Sequence, residues 1–344
     1  MRIILAFVCG ILLLAGCREQ KEKDLCVLQM NIWQEGTMVP NGFEAIGNEI
    51  LRVNPDVVCL SEVRNYHGIE FIPALRRYLK EKGATYYGET NSTDVGILSK
   101  HKIIRQEIVY PLSGDRGSII KAVLAVDDYI IAAYSCHLDY THYACYLPRG
   151  YDGTTFQKLP APIEEVDSIL ACNRSSKREE ALLYLIVDGQ KELDQAHGVI
   201  IAGDFNEPSH LDWMADTKEL RDHRGLVVPW PCSLLLMKQG YKDAFREMYP
   251  DPVSNPGITY PSDNVDADLR SLAWASDSDD RERIDFIYFW PDDKLSLRSA
   301  QIMGPSGSIK NGKRVENDSN DSFWEPIDVW PSDHKAVLAT FSLP

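Results

Sequence analysis

The feature that most constrains this fold is a series of short apolar runs, each of which ends in a polar residue. The run "LCVLQM" is followed by Asn31, "DVVCLS" by Glu62, "YIIAAYSC" by His137 and "GVIIAG" by Asp204. Short runs rich in β-branched residues and bounded by turn residues predict β-strands. Strands buried in a sheet end at its rim, so these polar side chains are expected to converge on one cleft.

Helical patterns alternate with the predicted strands. Apolar stripes at helical spacing predict helices around Ile46 and around Leu75, and further helical regions are expected over residues 162–195 and 234–248. The runs on either side of Asp127-Asp128 predict a hairpin. Strands and helices are mixed along 344 residues, 44% of them hydrophobic, and no linker divides them, which indicates one α/β domain. The segments 138–161, 250–283 and 304–322 are expected to be irregular.

The first residues have the pattern of an export signal. Arg2 precedes an apolar run from Ile3 to Ala15 that is too short to span a bilayer. "LAGC" resembles the bacterial lipoprotein signal, in which cleavage leaves Cys17 as the lipidated first residue; the alternative is an ordinary signal peptide with an incidental cysteine. We therefore expect a signal peptide at 1–16, a tether at 17–24, a single catalytic domain at 25–344, and a protein anchored by lipid in the cell envelope.

The remaining cysteines do not indicate a metal site, since no CxxC or Cys/His ligand spacing is present. Cys26, Cys59 and Cys136 lie within apolar runs, where free cysteine behaves as a small hydrophobe. An exported protein can form disulfides, and Cys145 with Cys172 is the pair that we expect if one exists.

The polar residues at the strand ends have a chemistry in common. Carboxylates, amides and imidazoles gathered in one cleft suit a hard divalent cation and a phosphate group. A lone Asp-x-Asn would be weak evidence, because such residues also cap helices and form turns.

The ordered set of motifs is more specific. "QMNIW", "CLSEV", "SCHLD", "AGDFNEP", "RIDFIY" and "PSDHKAV" occur in this order over residues 29–337. The set resembles the endonuclease/exonuclease/phosphatase superfamily, which includes deoxyribonucleases, abasic-site endonucleases, neutral sphingomyelinases and inositol polyphosphate phosphatases. The resemblance implies a four-layer α/β sandwich, in which two mixed β-sheets pack face to face with helices outside.

The resemblance also implies roles for individual residues. Glu62 corresponds to the principal Mg²⁺ ligand, with Asn31 beside it and Asp333 near the metal, and Mn²⁺ is expected to substitute. Asp204 corresponds to the residue that aligns and deprotonates the attacking water, Asn206 to a donor to the phosphate, and His334, oriented by Asp285, to the histidine at the scissile phosphate. His137 matches the deoxyribonuclease and sphingomyelinase branches, whereas abasic-site endonucleases typically have tyrosine there.

These expectations together predict an exported, lipid-anchored, Mg²⁺-dependent phosphodiesterase that acts, as a monomer, on a small or lipid-headgroup phosphodiester. A formal charge of −15 disfavours a large nucleic-acid interface, which needs lysine and arginine. A secreted nuclease is one alternative, and a non-catalytic surface lipoprotein that binds a glycan or protein is another. Segment 138–161 is rich in aromatic residues, and Arg149, Tyr143 and Tyr146 within it are candidates for substrate binding.

Overall fold

The computed structural model describes residues 23–344. The expected signal peptide, Cys17 and most of the expected tether lie outside the described residues. The last two residues of that tether, Lys23 and Asp24, belong instead to the first strand, where they pair with Leu343 and Ser342.

The described chain forms fourteen strands and seven α-helices, besides three short 3₁₀ helices. The strands are β1 (Lys23–Asn31), β2 (Val57–Ser61), β3 (Val95–Ser99), β4 (Lys102–Tyr110), β5 (Gly117–Val126), β6 (Tyr129–Leu138), β7 (Gly198–Asp204), β8 (Lys242–Asp243), β9 (Asp285–Phe289), β10 (Ser296–Met303), β11 (Ser308–Lys310), β12 (Lys313–Val315), β13 (Phe323–Trp324) and β14 (Ala336–Leu343). The helices are α1 (Gly42–Val53), α2 (Phe71–Glu81), α3 (Val166–Asn173), α4 (Arg178–Asp194), α5 (Pro231–Gln239), α6 (Ala244–Met248) and α7 (Leu269–Leu272).

Two six-stranded mixed sheets form the centre of the molecule. Their strand orders are β13-β10-β14-β1-β2-β3 and β4-β5-β6-β7-β9-β8. The inner faces pack on each other through a core that includes Val27 and Ile200, and α1 and α2 cover the outer face of the first sheet. Helices α4 and α5 cover the outer face of the second. This arrangement confirms the expected four-layer α/β sandwich.

Burial on both faces explains why the run before Asp204 is continuously apolar. In β7, Ile200 and Ala202 point into the core between the sheets, whereas Val199 and Ile201 point to the helices outside. Successive side chains of a strand alternate between faces, so a strand covered on both sides needs apolar residues throughout.

Strand direction brings the functional ends together. Strands β1 and β2 run parallel, as do β6 and β7, whereas β14 is antiparallel to β1 and β9 is antiparallel to β7. The carboxyl ends of the first four and the amino ends of β9 and β14 therefore lie at the same end of the sandwich. Lys23 and the end of β14 lie at the opposite end.

The structure confirms one local expectation and corrects two others. The hairpin at Asp127-Asp128 is confirmed, since Val126 pairs with Tyr129. The helical region expected over 234–248 is divided, because Gly240 ends α5 with a φ of 107°, and a hairpin of β11 and β12 lies within the expected irregular segment 304–322.

The expected pairing of Cys145 with Cys172 was wrong: both are free, as are the other cysteines of the described residues. No helix within residues 23–344 has both the length and the apolar character needed to cross a membrane.

Candidate active site

The polar residues expected at the strand ends form one cluster. Asn31 ends β1, Glu62 follows β2, His137 lies near the end of β6, and Asp204 ends β7. The remaining members enter from strands of opposite direction: Asp285 begins β9, while Asp333 and His334 precede β14. Six of the predicted catalytic and metal-binding residues line a cavity of about 280 Å³ between these strand ends: Glu62, His137, Asp204, Asn206, Asp333 and His334.

Asn31 connects the two central carboxylates. Its Nδ2 donates to Asp204 Oδ2 at 2.9 Å and to Glu62 Oε1 at 3.1 Å, and its Oδ1 accepts from the backbone N–H of Trp33 at 2.9 Å. The other Glu62 oxygen accepts from the backbone N–H of Gln34 at 2.8 Å. Glu62 itself has a φ of 68°, a left-handed conformation that is uncommon for glutamate and turns the chain sharply at the end of β2.

Two histidine–aspartate pairs flank Asp204. His334 Nδ1 donates to Asp285 Oδ2 at 2.9 Å, and His137 Nδ1 donates to Asp94 Oδ2 at 2.6 Å. The Nε2 atoms of the two histidines lie 3.8 Å and 3.9 Å from Asp204 Oδ2. Each aspartate therefore fixes the orientation of its imidazole, so that the opposite nitrogen is directed at the same carboxylate.

The amides of Gln29, which is buried, and of Asn206, which is partly exposed, complete this arrangement. Gln29 Nε2 donates to Asp285 Oδ1 at 2.9 Å, which holds that carboxylate from behind. The backbone N–H of Asn206 donates to Asp204 Oδ1 at 2.8 Å, and Asn206 Nδ2 donates to the Leu138 carbonyl oxygen at 3.0 Å. An amide has two N–H groups, so one of those on Asn206 is available in the cavity.

Burial and neighbouring charges shift the acidities of the cluster. Burial and the nearby Asp285 raise the pKa of Asp204 to about 6, against the opposing effects of the two histidines. Burial lowers the pKa of His137, but the Asp94 carboxylate outweighs it and raises the pKa to about 9. Burial is likewise outweighed by Asp285 and Asp204 at His334, whose pKa is well above its ordinary value. A carboxyl group whose pKa lies close to neutral pH, next to protonated imidazoles, is suited to proton transfer.

Asp333 indicates where a cation belongs. Its side chain lines the cavity, and its buried Oδ1 has no hydrogen-bond partner. Burial raises the Asp333 pKa to about 8, with a further contribution from Glu62. A buried carboxylate without a partner, next to a second carboxylate, is the oxygen donor set that hard divalent cations prefer, so Glu62 and Asp333 fit such an ion. Asp204, Asp285 and His334 also place one ligand atom each within 4.8 Å of one another, but His334 Nδ1 is already engaged by Asp285.

Aromatic side chains form the remaining cavity wall. Tyr140, Tyr143, Tyr146 and Phe156 from segment 138–161 line the cavity, so both tyrosines singled out as substrate-binding candidates lie where that role requires. They join further aromatic residues from outside the segment, Trp33, Tyr260 and Trp274. The ring of Trp274, 57% exposed, lies 5.2 Å from that of Phe156, at the cavity mouth.

Arg149, in contrast, was wrongly expected at the substrate. Its side chain is fully buried outside the cavity and pairs with Glu282, Nη2 to Oε1, at 2.6 Å. Three further N–H groups donate to backbone carbonyl oxygens, so four of the five N–H groups of Arg149 are engaged within the protein.

Reasoning from sequence missed several residues of the site, among them Asp94, Arg64 and Trp274. Asp94 directly precedes the run "VGILS", and this position at a strand boundary was the available signal. Arg64 is the only arginine or lysine among the described residues that line the cavity, and it pairs with Asp94 at 3.5 Å and with Asp115. Trp274 lies in segment 250–283, which was expected only to be irregular.

Comparison with known proteins agrees with this geometry. The family model for the endonuclease/exonuclease/phosphatase family matches residues 28–334. An uncharacterized protein of Caenorhabditis elegans, F14F9.5, is 31% identical over 320 residues, which cover 92% of this chain and 90% of the relative.

Solved structures show the same fold at low identity. TDP2 from C. elegans is 17% identical with a TM-score of 0.51, over 93% of this chain and 74% of that one. A humanized D. rerio TDP2 is 15% identical with a TM-score of 0.50, over 92% and 98% of the two chains. The human nocturnin catalytic domain with bound sulfate is 15% identical with a TM-score of 0.50, over 94% and 98%.

The family match spans nearly all of the described chain, and the strand ends carry the carboxylates, amides and histidines that phosphoric ester hydrolysis needs. The chain therefore belongs to the endonuclease/exonuclease/phosphatase family, whose members are metal-dependent phosphoric ester hydrolases.

Proposed function

We propose that this protein is an Mg²⁺-dependent phosphodiesterase that acts on a small phosphodiester. The observation that carries the proposal is the position of Asp204, whose carboxylate lies between two histidine–aspartate pairs in a cavity that is also lined by aromatic side chains.

In this proposal each polar group has one role. Asp204 accepts a proton from the attacking water, since its pKa of about 6 leaves it ionised at neutral pH. Asn206 and the protonated His334 donate to the non-bridging phosphate oxygens, on which negative charge builds up. His137 holds a second positive charge on the other side of Asp204. Glu62 and Asp333, with Asn31 beside them, would hold Mg²⁺, which would supply further neutralisation of the phosphate charge.

The shape and charge of the cavity favour a small diester over a nucleic acid. Its volume of about 280 Å³ is at the lower end of the range for small-molecule pockets. Arg64, its one arginine or lysine among the described residues, is already paired with two carboxylates. Binding along a nucleic-acid backbone requires several unpaired cations, whereas aromatic walls suit a substrate with a flat or cationic group.

If Cys17 is acylated, the direction of β1 helps to decide whether the substrate is a soluble diester or a lipid headgroup of the anchoring membrane. Strand β1 has nine residues and leads from Lys23 to Asn31, about 26 Å at 3.3 Å per residue. Residues 17–23, even fully extended, span at most about 20 Å. A lipid at Cys17 would then attach the protein to the membrane through the end of the sheets that lies opposite the catalytic cluster. This supports a water-soluble diester rather than a headgroup in the anchoring membrane.

A substrate panel tests the proposal. The full chain in detergent would be assayed with Mg²⁺ against bis-p-nitrophenyl phosphate, sphingomyelin, plasmid DNA and inositol phosphates, with Asp204→Asn as the inactive control. We expect Mg²⁺-dependent cleavage of the chromogenic diester that is lost in the variant. Preferred turnover of plasmid DNA would support the nuclease alternative instead, and turnover that persists in EDTA would refute the metal mechanism.

A further inference from the structure

We infer that two buried arginine–glutamate pairs, Arg149–Glu282 and Arg178–Glu207, hold the aromatic wall of the cavity in place and thereby determine which substrates the site accepts. The inference rests on the proposed phosphodiesterase function, and it assigns these four residues as positioning residues that touch neither the substrate nor the metal.

Arg149 fixes the middle of segment 138–161. It donates to the carbonyl oxygens of Cys145, Asp279 and Arg221 at 2.8–2.9 Å. Its carboxylate partner, Glu282, also accepts from Trp213 Nε1 at 3.2 Å. The guanidinium thus joins the turn that carries Tyr143 and Tyr146 to two other loops of the molecule.

Arg178, the first residue of α4, fixes the beginning of the same segment. It donates to the carbonyl oxygens of Asp139, Thr141 and His142 at 2.5–2.9 Å. Its Nε lies 3.4 Å from Glu207 Oε2, and both side chains are fully buried. Tyr140, which lines the cavity, lies between two of the residues that Arg178 holds.

Both glutamates belong to the segments that carry catalytic groups. Glu207 follows Asn206 in the motif "GDFNEP", and its carboxylate also accepts from Cys232 N at 2.7 Å. Glu282 precedes Asp285 in "RERID", and its backbone exchanges hydrogen bonds with Tyr260, whose ring lies 4.8 Å from that of His334. Each pair therefore joins the aromatic wall directly to a strand end of the catalytic cluster.

Stability alone is a weak reason for these pairs, because packed apolar residues often stabilise an interior as well as a buried ion pair does. The guanidinium groups add directional hydrogen bonds. Each has several N–H groups in a fixed plane, so it holds several carbonyl oxygens in one arrangement. A wall held in this way is already formed before substrate binds, so less conformational entropy is lost on binding.

The test compares two chromogenic diesters that share the p-nitrophenyl leaving group. Methyl p-nitrophenyl phosphate carries only a methyl group beyond the leaving group, whereas thymidine 5′-(p-nitrophenyl phosphate) carries a nucleoside that can contact the aromatic residues of the cavity. For Glu282→Gln and Glu207→Gln, we expect the kcat/KM ratio of the thymidine ester to the methyl ester to change by about ten- to a hundredfold, mainly through KM. Turnover of the methyl ester should stay close to wild type when corrected for the folded fraction.

Two further variants keep the test decisive. Arg149→Met combined with Glu282→Gln removes both charges, so no buried charge is left unpaired if the single variants fold poorly. Glu192→Gln is the matched control, because it removes a buried carboxylate of α4 that pairs with Lys121 at 2.8 Å, outside the cavity.

The outcomes separate the inference from the function on which it rests. An unchanged ratio in folded variants, or the same ratio change in the control, would overturn the inference while the phosphodiesterase function stands. If the wild type cleaves neither diester with Mg²⁺, the proposed function fails, and the inference fails with it.

Discussion

The pair that His137 forms with Asp94 beside Asp204 allows a quantitative prediction for Asp94→Asn. Asp94 Oδ2 lies 2.6 Å from His137 Nδ1 and is the main reason that the His137 pKa is about 9 rather than 6.5, despite burial. This difference corresponds to about 3 kcal/mol of preference for the imidazolium. An opposite charge at this distance accounts for about 1–3 pKa units, so the variant should return the His137 pKa toward or below 6.5.

The sign of the effect on function follows from the protonation state. Wild-type His137 is protonated at pH 7.5, whereas the neutral imidazole would dominate in Asp94→Asn at this pH. If the positive charge assists at the phosphate, kcat/KM of the variant should fall relative to wild type at neutral and alkaline pH. The ratio of variant to wild type should recover as the pH is lowered below 6.5, although Asp204 becomes protonated in both proteins there. The same pair stabilises the fold fully below pH 6.5, and this contribution is lost as the pH rises through about 9.

Two measurements check the prediction. The C2 proton of His137, identified by its absence in His137→Gln, gives the pKa by NMR in metal-free protein. The pH profile of kcat/KM for bis-p-nitrophenyl phosphate, measured with Mg²⁺, gives the functional effect. Asp115→Asn is the control, because Asp115 pairs with Arg64 and has no contact with His137. A His137 pKa that is the same in Asp94→Asn and wild type would refute the reasoning.

Three further predictions concern the metal, the buried ion pair and the cavity mouth. Glu62→Gln should lower activity about a hundredfold because the metal loses its charged ligand, with partial rescue by excess Mg²⁺ or Mn²⁺; a variant as active as wild type at low Mg²⁺ would contradict the assignment. Glu282→Gln should lower the free energy of unfolding by about 3 kcal/mol at pH 7. Because Arg149 outweighs burial and lowers the Glu282 pKa to about 2, this difference should shrink as pH falls from 4.5 toward 2; a constant difference in urea unfolding at several pH values would argue against the pair. Trp274→Ala should raise KM for thymidine 5′-(p-nitrophenyl phosphate) about tenfold through lost stacking, whereas Trp324→Ala, outside this cavity, should not.

The strands and their functional ends could be predicted from sequence because both depend on local order along the chain. A short apolar run such as "GVIIAG", bounded by glycines, favours a buried strand. The polar residue after such a strand lies at the rim of the sheet. The order of the motifs from Asn31 to His334 then identified the family, and with it the layers, whose packing no local pattern contains. Even Tyr143 and Tyr146 could be expected near the cavity, since their segment begins one residue after His137.

What only the tertiary structure decided is which distant residue each polar side chain meets. His137 and Asp94 are 43 residues apart, and Arg149 and Glu282 are 133 residues apart; nothing in either local sequence shows the pairing. Arg149 in an aromatic loop fits a substrate anion as well as a buried carboxylate, because the guanidinium offers the same donors to both. Packing settled the choice: the loop folds inward around Trp213, and the buried charge must be neutralised there. The sequence by itself determined which chemical groups reach the end of the sheets, and tertiary packing decided which of them face the substrate and which hold the site in place.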